Sequence, residues 1–403
     1  MPNIGTNATT PPAGNLPDLA DGALKAFRVL DLSESAAGQF CGRMLADYGA
    51  TVTLVEPPAG SGLRRQGPTD AQDPTGPSTL FFHLNHGKSS LTLDIAQPSG
   101  WKLLLRLVAR ADVVIVGPGP DRAALQAANP QAVIAFVSGF GDDGPLAGWR
   151  GTEMIYLAQS GMMNHNGVSG REPLYGCANR ASIAAGVAAY IAVLTALYAR
   201  PRVGRGQQVQ VDIAETISSM WYPYPVQHAY NGWLEPRGER GQPLGFVQCR
   251  DGWVAFWIHE HHWADATKAL GAPHLLQEAR FTGASTRQKH WNELVEVIQG
   301  IVADWSADEF VDRWQHYDLI VAKAWRANDL FAAHPHLHAR NYWERVPTAK
   351  GDRPILGPQF RLSRTPRRVT AGPPDPGAAN AATYPMLGLT PADIDALRRA
   401  AVV

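Results

Sequence analysis

Several groups of residues have types and spacings that could support chemistry. His259-Glu260-His261-His262 gathers three imidazoles and a carboxylate, the donors of a metal site. It lacks the H-E-x-x-H spacing that puts two imidazoles on one helix face, and it falls at a strand-to-helix corner. A solvated turn is the favoured reading, with a metal site as the alternative. His334, His336 and His338 alternate around Pro335 and fit an ordinary loop better than a ligand set. Cys177 could serve as a nucleophile, but a lone cysteine in apolar surroundings usually packs a core. Gly117-Pro118-Gly119 follows a strand, as a phosphate-binding turn does; its prolines, however, remove backbone donors that a phosphate would need. No G-x-S-x-G nucleophile elbow occurs in the sequence.

The elements that would position such groups come first from periodicity. Phe27 to Leu32 is a short strand, Ala37 to Tyr48 has helical spacing, and Thr51 to Val55 is a second strand. A strand–helix–strand unit of this length implies a parallel pair with a right-handed crossover. Gly60 to Pro77 is too polar and broken for a core element. Strands at Ser90–Leu93, Val113–Val116 and Val133–Val137 then alternate with helices at Ser99–Arg110 and Asp121–Ala128. This alternation predicts an α/β, doubly wound domain.

The stretch Leu174–Val211 organises the chain. Ala181 to Ala199 carries no charge, Arg200 and Pro201 close the run, and a Gly204-Arg205-Gly206-Gln207 turn leads into a strand at Gln208–Ile213. The run is long enough to span a bilayer, but it is built on Ala and Gly and has no companion. It is read as a helix buried in a large core, whose small residues let other backbones approach.

Beyond Ala214 the character changes. A strand at Gly252–Ile258 is followed by helices at His262–Leu270, Trp291–Trp305 and Ala307–Tyr317, the last with Ser306 and Glu309 spaced as a capping box. Residues 225–325 are expected to form a smaller α+β domain, entered through a polar hinge at Asn231–Pro243. Residues 1–22 read as a flexible tail, residues 23–224 as the first part of the large domain, and Pro366–Pro385 as a surface strap.

The chain has 403 residues, enough for two cores, and equal numbers of basic and acidic side chains, 36 each. Zero net charge argues against a general nucleic-acid surface. Three scattered cysteines form no disulfide framework, and the amino-terminal segment lacks the pattern of a signal peptide. The expectation is a soluble cytoplasmic protein that binds neither nucleic acid nor membrane.

Several segments taken together resemble the family III CoA-transferases, which include formyl-CoA, carnitine-CoA and benzylsuccinate-CoA transferases and the α-methylacyl-CoA racemases. They are Arg28-Val29-Leu30-Asp31-Leu32; Leu45 to Ala50 with Val55-Glu56-Pro57-Pro58; Asn85-His86-Gly87-Lys88 to Asp94; Ser138-Gly139-Phe140-Gly141 with Gly144-Pro145; and Gly204 to Gln207. No one of them is specific; their order and spacing carry the likeness. The resemblance implies a Rossmann-like large domain to which residues 326–403 return, a smaller domain between its halves, and two chains interlaced as a dimer. It also implies coenzyme A and acyl-CoA as substrates, with no metal.

In that family an aspartate at the opening of the long helix attacks the acyl-CoA thioester and then carries CoA as its own thioester. The matching position here is Ser182, in Arg180-Ala181-Ser182-Ile183. A serine hydroxyl can accept an acyl group but has no carbonyl on which to hold CoA. Glu153 and Glu172 are imaginable replacements. An early glutamine of the CoA site corresponds to Ala36, and the Asn-Phe pair after the fourth strand is deleted near Val116-Gly117. Lys88 and Arg122 match basic residues that face the CoA phosphates, and Arg64 and Arg65 lie in a loop that could reach them. The racemase proton-transfer pair is also lost, with Thr152 and Ser182 in its places.

Three readings follow from the resemblance. The favoured one is a subunit of a heteromeric, benzylsuccinate-type CoA-transferase, a pseudoenzyme chain whose homologous partner bears the aspartate. The donor would be an acyl-CoA such as succinyl-CoA and the acceptor a carboxylic acid, aromatic acids included. The second is a self-contained acyl-CoA isomerase, lyase or hydrolase working through Ser182 or a nearby acid, as a homodimer. The third is a CoA-binding protein without activity. Trp221, Tyr222, Tyr224 and Trp257 would suit an aromatic pocket, though core packing is favoured for them.

Overall fold

Six short strands form a parallel sheet: β1 (Arg28–Asp31), β2 (Thr51–Glu56), β3 (Ser89–Thr92), β4 (Val113–Val116), β5 (Val133–Ser138) and β6 (Gln208–Asp212). Their spatial order is β3-β2-β1-β4-β5-β6, the doubly wound arrangement that reverses direction between β1 and β4. The central strands β4 and β5 are buried at every position, which explains their unbroken apolar sequences. This computed structural model describes residues 22–220, 224–234, 237 and 244–403. The expected tail apart from Gly22, Trp221 with Tyr222, and most of the expected hinge lie outside the described residues.

Contacts divide the chain into two units. The first comprises residues up to Met163, Tyr175–Val226 and Glu344–Val403; the second comprises Asn164–Leu174 and Gln227–Trp343. The second unit thus runs beyond the expected boundary at 325.

In the first unit, helices cover both faces of the sheet. They are α1 (Ala36–Asp47), α2 (Thr79–Asn85), α3 (Pro98–Val108), α4 (Arg122–Ala128), α5 (Glu153–Gln159), α6 (Arg180–Val203) and α7 (Ile213–Ser219). Alternation along the strands sends Val29, Val52, Leu54 and Ile115 toward α1 and α6, and Leu30, Val55, Val114 and Phe136 toward α3. The loop expected at Gly60–Pro77 carries a single turn of 3-10 helix and a two-stranded hairpin, Thr69–Asp70 with Asp73–Ser78.

Helix α6 begins one residue before the uncharged run and continues through Pro201 to Val203, ending at Gly204 with φ +75°. Pro201 has no N–H to donate to the Leu197 carbonyl, which costs the helix one bond close to its end. The left-handed cap explains the glycine that follows. Gly186 faces α1 so closely that a Cβ would lie 2.7 Å from the Ala37 carbonyl oxygen. The buried stripe runs through Ala181, Ala185, Ala189, Val193 and Leu197. The opposite face departs from the expected full burial: Ile191 is 57% and Tyr198 71% exposed. Among the described residues α6 is the one helix long and apolar enough to cross a bilayer, and about half of that window is buried within the fold.

The second unit contains an antiparallel sheet of β7 (Leu244–Cys249), β8 (Gly252–Trp257) and β9 (Ile320–Lys323), in the order β9-β8-β7. It is covered by α8 (Trp263–Ala269), α9 (Trp291–Val302) and α10 (Ala307–Gln315), with Phe256, Phe310 and Trp314 at the core. Ser306 caps α10 by accepting from the Glu309 N–H at 3.0 Å. The reciprocal half of the expected capping box is not formed, because the Glu309 carboxylate turns to Arg313 at 2.9 Å.

The carboxyl-terminal segment returns to the first unit as a strap and two helices, α11 (Asn380–Met386) and α12 (Pro391–Arg399). Tyr48 stacks on Phe360 at 4.4 Å, and Arg367 reaches Asp47 at 2.9 Å. Asn380 then serves the edge of β3, accepting from the Thr92 N–H at 3.0 Å and donating to its hydroxyl at 2.7 Å. An otherwise open strand edge is thereby satisfied.

Candidate active site

Helix α6 starts without a local cap. Asn179 makes no side-chain hydrogen bond to it, and Ala178 just ahead holds φ at +57°, a left-handed conformation that a Cβ disfavours. The first N–H groups of a long helix carry positive potential and need acceptors. The Glu153 carboxylate supplies them from the first turn of α5, accepting from the Ala181 N–H at 2.9 Å and the Ser182 N–H at 3.2 Å. Ser182 itself is 6% exposed. A carboxylate therefore lies against the backbone of the residue where the resemblance expects a catalytic carboxylate, but it belongs to another helix.

Beside this junction is a cavity of about 430 Å³. Its apolar walls are Leu157, Met162, Ile183, Ala184, Ile217 and Met220, and Ala178, Asn179 and Arg180 complete the lining. Leu157 lies four residues after Glu153 on α5, so the two share a helix face.

The basic residues expected at the CoA phosphates separate into two sets. The Lys88 side chain is fully buried, donating to Asp31 Oδ2 at 2.8 Å, the Gln39 carbonyl at 2.7 Å and Asn85 Oδ1 at 2.8 Å. Burial pushes the Lys88 ammonium below its usual range and the Asp31 carboxyl above its own, and their ion pair opposes both shifts. Lys88, expected to face the CoA phosphates, thus has its three donors committed inside the protein. Arg64 is engaged in the same way. Its guanidinium is buried, donates to Glu56 at 2.7 and 2.6 Å and to the Pro374 carbonyl at 2.9 Å, and lies over Phe81. Its neighbour Arg65 is exposed.

Ala36 and Arg122 lie elsewhere. Ala36 opens α1 after β1, and Arg122 opens α4 after β4. They flank the point where strand order reverses, the crevice in which doubly wound sheets place their ligands. Arg122 is half-buried, pairs with Asp142 and lies over the Phe136 ring.

The remaining candidates are dispersed. Thr152 precedes Glu153 as the formal N-cap of α5. Glu172 is in the second unit, exposed and paired with Arg171 at 3.0 Å. Cys177 is exposed, contrary to the core position expected, whereas Cys41 and Cys249 are buried. The His259 and His261 rings stack, and Glu260 is engaged by Arg287. Among the described residues no group of three potential metal ligands is assembled. Trp257 belongs to the second unit. The cavity, and the polar partners that bury Lys88, were not anticipated from sequence. The available signal was the recurrence of Asp31, Asn85 and Lys88 in the segments that carry the resemblance, which marks polar residues without saying whom they face.

The sheet order and the crevice at its reversal define a doubly wound α/β protein. Comparison with known proteins is more specific. The sequence profile of CoA-transferase family III matches residues 24–380, and the chain belongs to that family. Its members act on CoA thioesters. A succinyl-CoA–D-citramalate CoA-transferase of Chloroflexus aurantiacus is 29% identical over 93% of this chain and 97% of its own length. A formyl-CoA:oxalate CoA-transferase of Streptomyces coelicolor is 26% identical over 87% of this chain and 92% of its own. The crystal structure of a CaiB/BaiF family protein from Brucella suis superimposes with a TM-score of 0.84 at 26% identity, covering 91% of this chain and all of that one.

Proposed function

We propose that this chain is one subunit of a family III CoA-transferase, interlaced with a homologous partner that bears the acyl-accepting aspartate. The observation that carries this reading is Ser182. It is buried, the resemblance matches it to the family's aspartate, and a hydroxyl offers no carbonyl on which CoA can be held as a thioester. The exposed Ile191 and Tyr198 on α6 support a subunit contact, since large apolar side chains on one helix face are costly to leave in water. The assembly would move CoA from a donor such as succinyl-CoA, the donor named for the Chloroflexus relative, to a carboxylic acid. Ala36 and Arg122 would flank the bound CoA. Three unpaired cysteines suit the reducing cytoplasm. Native mass measured after co-expression with homologous chains tests the reading. A mixed assembly active with succinyl-CoA is expected; a lone homodimer that transfers CoA at an ordinary enzymatic rate overturns it.

A second reading is favoured by the hydrogen bonds between Glu153 and the Ala181 and Ser182 amides. In it, this chain acts alone and the Glu153 carboxylate takes the acyl group. Attack on the thioester expels CoA thiolate and forms a mixed anhydride. The thiolate then attacks the glutamyl carbonyl and releases the donor acid, leaving CoA on Glu153. Glu153→Gln would abolish turnover by the isolated chain while Ser182→Ala preserves it; activity surviving in Glu153→Gln excludes this route.

A further inference from the structure

We infer that the cavity beside α6 is the acceptor-acid subsite of this chain and takes an apolar monocarboxylate, with Arg180 holding the carboxylate at its mouth. The inference deepens the CoA-transfer reading by naming a substrate class. Arg180, Ile183 and Ala184 recur at helical spacing and bring one face of α6 to the cavity. The facing wall comes from Leu157 on α5 and from Ile217 and Met220 at the end of α7.

Apart from Asn179 and Arg180, which sit together at the start of α6, the lining residues offer an acid's body nothing to hydrogen-bond, so hydrocarbon is the occupant they suit. A cavity of about 430 Å³ holds a phenyl ring with a short chain and leaves room for its approach. Charge fixes the other end. Among the described residues the Arg180 guanidinium makes no ion pair and no hydrogen bond, unlike Arg43, Arg64, Arg200 and Arg367, each of which serves a carboxylate. The first amides of α6 are taken by Glu153, so the helix end itself is not the anion receptor. An arginine fork matches a carboxylate with two parallel hydrogen bonds, which makes Arg180 the complementary group. Short hydrophilic dicarboxylates would leave the apolar walls unfilled and lose by that difference.

The test is equilibrium binding to the full-length chain, in the assembly in which it purifies, with 3-phenylpropionate, succinate and the neutral 3-phenylpropanol as probes. 3-Phenylpropionate should bind at least tenfold more tightly than either of the others. Arg180→Ala should reduce its affinity about tenfold or more while leaving 3-phenylpropanol unchanged. Ala184→Phe, which fills the cavity and keeps the arginine, should weaken both aromatic probes. Succinate binding as tightly as 3-phenylpropionate, no binding of 3-phenylpropionate, or an Arg180→Ala chain of unaltered affinity each overturns the inference. None of these readouts depends on turnover or on an aspartate-bearing partner, so failure of the subunit reading would be seen separately, in the native mass.

Discussion

The carboxyl end of β1 and the amino end of α6 are both organised around charge, and they treat it in opposite ways. At β1, Lys88 and Asp31 are shut into the interior, the lysine bonded to Asp31, Gln39 and Asn85 and the second Asp31 oxygen accepting from the Ser33 N–H. At α6 the carboxylate of Glu153 meets backbone amides, and Arg180 next to it is exposed and unpaired among the described residues. The first arrangement fixes a fold. The second leaves a charged group available to a ligand. A basic residue in a family motif is thus no guide by itself to ligand contact; what matters is how many of its donors the protein already occupies.

Substitutions can break that contrast. Lys88→Ala should cost the most, about 3–5 kcal/mol of unfolding free energy, because Asp31 would remain buried without its counter-ion. Arg180→Ala should lie within about 0.5 kcal/mol of the parent, as surface changes do. Denaturant unfolding of the two variants side by side checks the pair.

The next effect depends on pH. His83 lies beneath Arg43 and stacks on Phe40, and burial, aided by the nearby arginines, lowers its pKa to about 4. The unfolded chain takes up that proton near pH 6.5, the folded one only near 4. Its contribution is therefore complete above about pH 6.5 and is lost as pH falls toward 4, roughly 3 kcal/mol for a shift of this size. His83→Gln should flatten the stability profile in that window, measured as unfolding free energy at several pH values; a profile equally steep in the variant would refute the assignment.

Smaller effects sharpen the picture of how α6 is seated. Gly186→Val must push α6 from α1 and should cost about 1–3 kcal/mol in unfolding experiments. Asn380→Ala removes the partners of Thr92 and should cost about 1 kcal/mol, with faster hydrogen exchange at the Thr92 amide.

Much of the first unit was legible in the sequence. The strands around Val29, Val52, Val114 and Ile134 are short, apolar and separated by helical periodicity, and their alternation with helices forces a parallel sheet. The helix α2, Thr79–Asn85, was not read: it is short and follows directly on the polar, broken stretch that ends at Pro77. The partial exposure of α6 was hidden for another reason: a run of Ala, Val and Ile looks alike whether it faces a core or a second chain. The burial of Lys88 and Arg64 was illegible because partners such as Asp31, Gln39 and Pro374 are distant in sequence, 57, 49 and 310 residues away. Only the folded arrangement says which charges are already matched.

The support that Asn380 gives to β3 has a consequence for synthesis. The two partners are 288 residues apart, so at ~5–20 residues per second a ribosome needs roughly 15–60 s to deliver the second after the first. Through that interval the nascent chain carries a strand whose outer edge has no native cover, while the whole of the second unit is still being translated. Slower elongation lengthens the wait and raises the demand on chaperones that shield open edges. Recombinant yield should accordingly respond to chaperone supply more than to the intrinsic stability of the finished protein.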